Sequence, residues 1–486
     1  MAEFSLAKTR GGTDAALDQI NTFALEYRNM KAQTFRGGIH PPEKKELAES
    51  FSIETLSALP KTVTIPVTMG GAPNAPTVKV GDAVVRGQVI AEGTHPMSVP
   101  VHASVSGKVT KIEARNITGN VEAPCIIIET DAGDTTTKFL PPLDPFTCSK
   151  EDAVKRVREA GIVGMGGAGF PTGVKLNPPP GMNIEYVLAN GAECEPYLTI
   201  DQRIMTETPK KVVDGVAIAM KITGAKEGKI ALETNKVHLV EVLDKEIQSA
   251  GYAGKISVSL CKTKYPQGCE KNIVQSVLNR EIPAGGLPAS IGCLIQNIST
   301  LCAISDAFRE GKPLIERGLT ISGGACKTPK NLRVPIGTVV SDLENGTIEV
   351  ASTTAKILSG GPMMGFAMQN AEFPVAKNTS GVLFLTKNEA RIWEEGPCIS
   401  CGKCVNVCPC SLTPVMIQRS LAGGDLDAAL KFGLMDCMEC GSCAYTCPAH
   451  VKLVQHFKVG KGELRARQAA ELAKKAAKEA AEGAKK

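Results

Sequence analysis

Eight cysteines near the C-terminus fall into two runs of the same spacing. The first is Cys398, Cys401, Cys404 and Cys408, closed by Pro409; the second is Cys437, Cys440, Cys443 and Cys447, closed by Pro448. C-x2-C-x2-C-x3-C-P suits a cubane [4Fe–4S] cluster. Three close thiolates wrap one face, and the fourth cysteine of each run ligates the other cluster. The spacing therefore assigns Cys398, Cys401, Cys404 and Cys447 to one cluster, and Cys437, Cys440, Cys443 and Cys408 to a second. Zinc sites instead pair C-x2-C units with four ligands each, which two proline-closed longer runs fit poorly. Cys410 lies outside the pattern and reads as a buried bystander. Clusters pass single electrons and need both a donor and an acceptor, so the rest of the chain should hold one of them.

The best candidate is the stretch from Gly164 to Lys175, which contains Gly166, Gly167 and Gly169, then Phe170. Successive glycines let backbone N–H groups approach a phosphate, and Lys175 can balance its charge. The stretch is neither a Walker loop nor a GxGxxG turn, and a plain tight turn is the alternative. Two further segments carry polar groups: Asn190-Gly191-Ala192-Glu193-Cys194-Glu195-Pro196 and Gln296-Asn297-Ile298-Ser299-Thr300-Leu301.

The glycine loop resembles the NADH- and FMN-binding loop of the flavoprotein subunit of respiratory complex I, and the two polar segments resemble that family's other flavin segments. Gly37-Gly38-Ile39-His40-Pro41-Pro42, Lys264-Tyr265-Pro266-Gln267-Gly268 and the double cysteine run resemble, in order, the C subunit of the Rnf complex, an ion-translocating NAD:ferredoxin oxidoreductase. The resemblance implies that Gly164, Gly166, Gly167 and Gly169 line FMN and nucleotide phosphates. Phe170 would contact the nicotinamide nucleotide, and Lys175 phosphate or ribityl oxygens. Asn190, Glu193 and Glu195 would meet the isoalloxazine and nucleotide hydroxyls, with Asn297 on the FMN phosphate side. Glu270 matches the family's glutamate less closely, because Cys269 separates it from Gly268. Two carboxylates near the ribose would favour NADH over NADPH.

The implied chemistry is NADH oxidation at FMN, then single-electron passage through two [4Fe–4S] clusters to other membrane subunits of an Rnf-type complex. Flavin can take two electrons and release them singly, so no catalytic side chain is required. The resemblance further implies a peripheral position on the cytoplasmic face of the cell membrane. Two other readings are a soluble cobalamin reductase, which lacks a preceding β module, and a non-enzymatic electron-transfer adaptor that has lost nucleotide binding.

The elements that must position these groups are legible in part. The fold class is multidomain α/β. Residues 1–33 read as an extension. Residues 34–145 carry short strands (among them Val63–Val67, Val78–Val80, Val89–Ala91 and Gly107–Ile112) and resemble the biotinyl/lipoyl barrel-sandwich family. Met97-Ser98-Val99-Pro100 stands where that family's carrier lysine would be, so no lipoyl or biotin group is expected. A helix should begin near Ser149, opening an α/β FMN/NADH domain over 146–312. A β-grasp module resembling the soluble ligand-binding type is expected over 313–385, and a helical two-cluster ferredoxin domain over 386–460. An Ala/Lys/Glu-rich helical tail, solvated rather than packed, should follow over 461–486.

Composition sets the bounds. At 486 residues the chain needs several cores. A net charge of only +5 and 4% aromatic residues argue against a dedicated nucleic-acid binder. Seventeen cysteines, an odd number and clustered, argue for reduced or metal-bound thiols. No apolar run reaches the roughly 18–20 residues needed to cross a bilayer.

Overall fold

The structure, a computed structural model, describes residues 32–483. The extension expected at 1–33 lies almost wholly outside them. Two small antiparallel sheets form the barrel-sandwich. One has the strand order Thr62–Pro66, Val121–Thr130, Gly107–Ile117, Ala83–Val84; the other has Ala75–Pro76, Val89–Glu92, Val101–His102. Val63 lies opposite Ile128 and Ile65 opposite Ile126, all four fully buried. Such β-branched cross-strand pairs set the register of the sheet. The strand expected at Val78–Val80 is instead a turn. The Asp82 carboxylate accepts the Lys79 N–H at 2.8 Å, and Gly81 takes a φ of +100°. That local side-chain bond outweighs the β preference of two valines.

The helix at Lys150–Glu159 begins where expected, with Ser149 Oγ accepting the Asp152 N–H at 3.0 Å. It leads into a four-stranded parallel sheet ordered Ile256–Cys261, Glu227–Glu233, Tyr186–Gly191, Cys293–Asn297. In chain order that is third, second, first, fourth. The order reverses between Tyr186–Gly191 and Cys293–Asn297, and ligands of such sheets bind outside the strands' carboxyl ends at that reversal. Helices Pro209–Thr223 and Ile298–Arg309 cover one face, where Val213, Val216, Leu301 and Ile304 are buried. One apolar core runs from the barrel's Val101 and Ile126 through Val157 and Ile162 to these helices.

A six-stranded mixed sheet forms the third unit, with strands at Glu316–Ser322, Lys330–Pro335, Lys356–Ser359, Phe366–Met368 and Gly381–Leu385. Its sixth strand is Ile53–Thr55, which pairs in parallel with Lys330–Pro335. The segment before the barrel is thus shared out. Residues 53–55 complete the β-grasp sheet, while Gln33 and Ile39 pair with Cys261 and Tyr265 of the FMN/NADH domain.

The fourth unit is helical, with short helices Lys403–Asn406 and Ser442–Tyr445, then Pro414–Ala422, Leu426–Lys431 and a long helix Leu453–Gly483. The tail therefore continues a helix begun before residue 461. Its first turns pack, against expectation: Leu464 is fully buried, and buried Lys461 donates to the Cys437 carbonyl at 2.6 Å. Among the described residues, no helix is long and apolar enough to cross a membrane.

Candidate functional site

The glycine loop sits over the sheet's reversal point. A Cβ on Gly166 would lie 3.0 Å from Asn297, at the carboxyl end of the last strand. Three other parts of the fold hold the loop, which also bonds to itself. From the barrel, Gly70 approaches Gly169 so closely that a Cβ there would overlap the Gly169 carbonyl. From the β-grasp sheet, buried Arg317 donates to the Met165 carbonyl at 3.3 Å and Asn378 to the Gly167 carbonyl at 3.0 Å. From helix Ile298–Arg309, Thr300 Oγ1 accepts the Met165 N–H at 3.0 Å. Within the loop, the Gly164 N–H donates to the Phe170 carbonyl at 2.8 Å, and Gly169 has a φ of +72°, which glycine tolerates. A Cβ at Gly167 would meet nothing within 4 Å, so this backbone faces open space. The Phe170 side chain is exposed beside it.

Asn297 caps helix Ile298–Arg309: its Oδ1 accepts the Ser299 N–H at 2.9 Å, and its Nδ2 donates to Asp201 at 2.6 Å. A helix N-terminus at the reversal point is a natural seat for an anion. Lys175 pairs with Glu270 at 2.6 Å, so the structure joins the two charged residues that the sequence left far apart. Asn190 Nδ2 donates to the Gly268 carbonyl at 2.7 Å, which ties the first strand to the Tyr265 loop.

Both glutamates expected to meet the nucleotide are engaged by backbone. Glu193 accepts the Asp201 N–H at 2.8 Å, at the start of helix Ile200–Glu207. Burial raises its pKa, against the pull of buried Lys45. Glu195 accepts the N–H groups of Met363 and Met364 at 3.0 and 2.8 Å, and burial lifts its pKa to about 7. These carboxylates brace the loops around the site through backbone N–H groups.

Several contributors carried no sequence signal. Asp201 bridges Asn297 and Ser299. Arg317 and Asn378 come from another unit. Gln296, buried just before Asn297, has neither amide atom partnered among the described residues, and buried Thr172 has an unpartnered hydroxyl. Gln296 and Thr172 lie within the polar segment and the glycine stretch already singled out, whereas Asp201, Arg317 and Asn378 stood in no recognised motif. Open backbone donors at Gly167, a helix N-terminus and an unpartnered amide make a donor set that fits a flavin phosphate and its ring edges.

The cysteines surround two hollows. One, of about 440 Å³, is lined by Cys398, Cys401, Cys404 and Cys447 with Ile399, Val451 and Leu453. The other, of about 360 Å³, is lined by Cys408, Cys437, Cys440 and Cys443, with Cys410, Ile417 and Phe457. The fourth cysteine of each run lines the hollow of the other run. Leu453 faces the first hollow, while Val454 and Phe457 face the second, so one helix turn divides them. Among the described residues, no three His, Cys, Asp or Glu side chains converge as a single ion requires. Four thiols around a hollow suit a multi-iron core instead. Burial pushes the Cys437 thiol up to about 11, so iron must displace that proton on ligation.

The second hollow abuts the flavin-side domain. Buried Tyr265 donates its hydroxyl to the Cys440 carbonyl at 2.7 Å, and the Gly38 N–H donates to the Val407 carbonyl at 2.9 Å. The spare thiols Cys194 and Cys269 lie at the same junction. Cys194 accepts the Gly268 N–H at 3.3 Å, and burial raises the pKa of both.

Residues 157–306 match the Nuo51 FMN-binding domain family, 33–133 the RnfC barrel sandwich hybrid domain, and 397–451 the 4Fe-4S dicluster domain. The C subunit of a proton-translocating ferredoxin:NAD(+) oxidoreductase complex from Clostridium ljungdahlii is 44% identical over 91% of this chain and 96% of its own. The Na(+)-translocating counterpart from Acetobacterium woodii is 43% identical over 90% and 98%. The C subunit of an ion-translocating oxidoreductase complex from Rhodobacter capsulatus is 41% identical over 93% and 87%. With cysteines, glycine loop and barrel all inside these matches, the chain belongs to the RnfC family, the C subunits of ion-translocating ferredoxin:NAD+ oxidoreductase (Rnf) complexes.

Proposed function

We propose that this chain is the NADH-oxidising subunit of an ion-translocating complex, joined to its partner subunits at the cytoplasmic face of the cell membrane. FMN, when bound, supplies the step between a two-electron donor and one-electron carriers. The chain's residues set the geometry. Gly166, Gly167 and Gly169 present backbone to the phosphate, the N-terminus of the helix capped by Asn297 adds donors, and Lys175, held by Glu270, donates to phosphate or ribityl oxygens. Gln296 offers its free amide, and Phe170 offers an exposed ring to the nicotinamide. Glu193 and Glu195 hold the surrounding loops, with Asn190 fixing the Tyr265 turn. Cys408, Cys437, Cys440 and Cys443 would hold the cluster nearer this site; Cys398, Cys401, Cys404 and Cys447 would hold the farther one.

The observation that carries this reading is the asymmetry of the hollows. One is sealed against the flavin-side domain through Tyr265 and Cys440. The other has Cys398 and Cys401 exposed, as an exit to a partner requires. The coupling ion differs between relatives, one named for protons and another for sodium. The test is anaerobic reconstitution with iron, sulfide and FMN. NADH should then bleach the flavin and generate reduced-cluster spectra in the same chain. A reconstituted protein that binds FMN but is not bleached by NADH would refute the reading.

A further inference from the structure

We propose that the open cluster hollow is ringed by a cationic and apolar docking face, and that an acidic, redox-active face of a partner protein seats on it. The inference rests on the reading above and adds the chemistry of the partner's surface.

The ring is built from residues that touch the hollow or its walls. Ile399 lines the hollow and is 66% exposed. Arg419, exposed, donates to Ser400 Oγ at 2.7 Å on the hollow's lip. Lys403 follows the lining residue Gly402, and Lys452 lies between the lining residues Val451 and Leu453; both are exposed. On the remaining side, the irregular segment 391–396 is anchored by the Gly396 N–H to the Ala449 carbonyl at 2.8 Å. There Trp393 stacks on His450 at 4.6 Å, and Arg391 lies 3.9 Å above the Trp393 ring. Trp393 is the chain's only tryptophan and is nearly half exposed, while Ile392 is 80% exposed. Two acids share the segment, and one of them, Glu395, is paired with His456.

Four cations, two exposed isoleucines and an exposed tryptophan thus surround the two cluster ligands most open to solvent. Aromatic and arginine anchors at the centre of a patch are what interface hot spots use, and a single-sign rim steers an oppositely charged partner. A lipid surface could satisfy the same charges. It would bury the cluster's outlet in an electrical insulator, however, and one electron must leave here for each electron that enters from the flavin side. The outlet favours a protein that carries its own one-electron centre, which is reduced as the cluster is reoxidised.

The test uses the triple variant Arg391→Glu, Lys403→Glu and Lys452→Glu, which spares every cysteine and every residue of the flavin site. In the isolated reconstituted chain, NADH should still reduce flavin and both clusters. In the assembled complex, NADH-driven reduction of centres beyond this chain should fall about tenfold and lose most of its salt dependence, or the variant should no longer co-purify with the complex. Unchanged onward reduction with unchanged salt dependence would overturn the proposal. So would binding of the isolated chain to phosphatidylglycerol vesicles that the variant loses, since the face would then rest on lipid. If NADH failed to reduce the clusters even in the unaltered chain, the functional reading beneath the proposal would fall with it.

Discussion

The two cysteine hollows have the same spacing in sequence and opposite surroundings in space. At the hollow nearer the flavin, Cys440 and Cys443 are buried. Tyr265 reaches its wall from another domain, and Lys461 donates to the Cys437 carbonyl at 2.6 Å while pairing with Glu439 at 2.8 Å. At the other, Cys398 and Cys401 are exposed and the nearby cations face water. Ligand motifs therefore fix which metal core is held, whereas its place in a relay is fixed by what packs around it. Cluster potentials depend on charge, hydrogen bonding and solvent access, and the two hollows differ in all three.

The largest effect should come from removing the inner ligand. Cys440→Ala should cut iron from about eight to about four per chain and stop electron delivery, while NADH still bleaches flavin. Cys401→Ala should lose the same amount of iron, yet leave one cluster reducible by NADH. Iron analysis with EPR reads both, and equal loss of NADH-reducible signal in the two variants would erase the distinction between inner and outer hollow. Next in size is Gly167→Val. Its side chain enters open space in front of the loop, so FMN affinity should weaken at least about tenfold, ~1.4 kcal/mol, with iron content unchanged. Flavin fluorescence on release measures this.

Smaller changes sharpen the contrast. Tyr265→Phe removes the hydroxyl from the Cys440 carbonyl. It should cost about 1 kcal/mol of stability and shift the EPR signal of the inner cluster alone. Chemical denaturation and spectra of the two clusters provide the comparison. The smallest effect concerns Glu195, whose pKa rises from 4.5 to about 7 in the folded chain. The folded state then keeps a proton that the unfolded chain has released. Stability from this group is full below pH 4.5 and is lost as pH rises toward about 7. Melting temperatures measured across that window should fall with pH, and Glu195→Gln should flatten the slope.

Much of this was legible in the linear text wherever signals are local. The cysteine spacing and the Ser149 cap depend on neighbours a few residues away. Long-range pairings left no such mark. Ile53–Thr55 joins a sheet whose other strands begin at Glu316, and nothing in three residues announces a partner so distant. Nothing local marks the partners of Glu193 and Glu195, which are backbone N–H groups of a helix and of a loop from another unit. Arg317 and Asn378 reach the glycine loop only because the β-grasp sheet packs beside it. The polar look of the tail hid Lys461 and Leu464, both buried where its helix packs.

The strap at Gly37–Ile39 has a consequence for biosynthesis. Gly38 bonds to Val407, and a Cβ on Gly37 would lie 2.8 Å from the Cys408 carbonyl. A ribosome emits the strap early and its docking site late. At 5–20 residues per second, the delay is roughly 20–70 s. Within that interval the strap can pair only with Tyr265 and its neighbours, because Val407 and Cys408 have not yet emerged. The strap's second anchor, on the segment that carries Cys408, therefore forms last, after its pairing with Tyr265 is already possible.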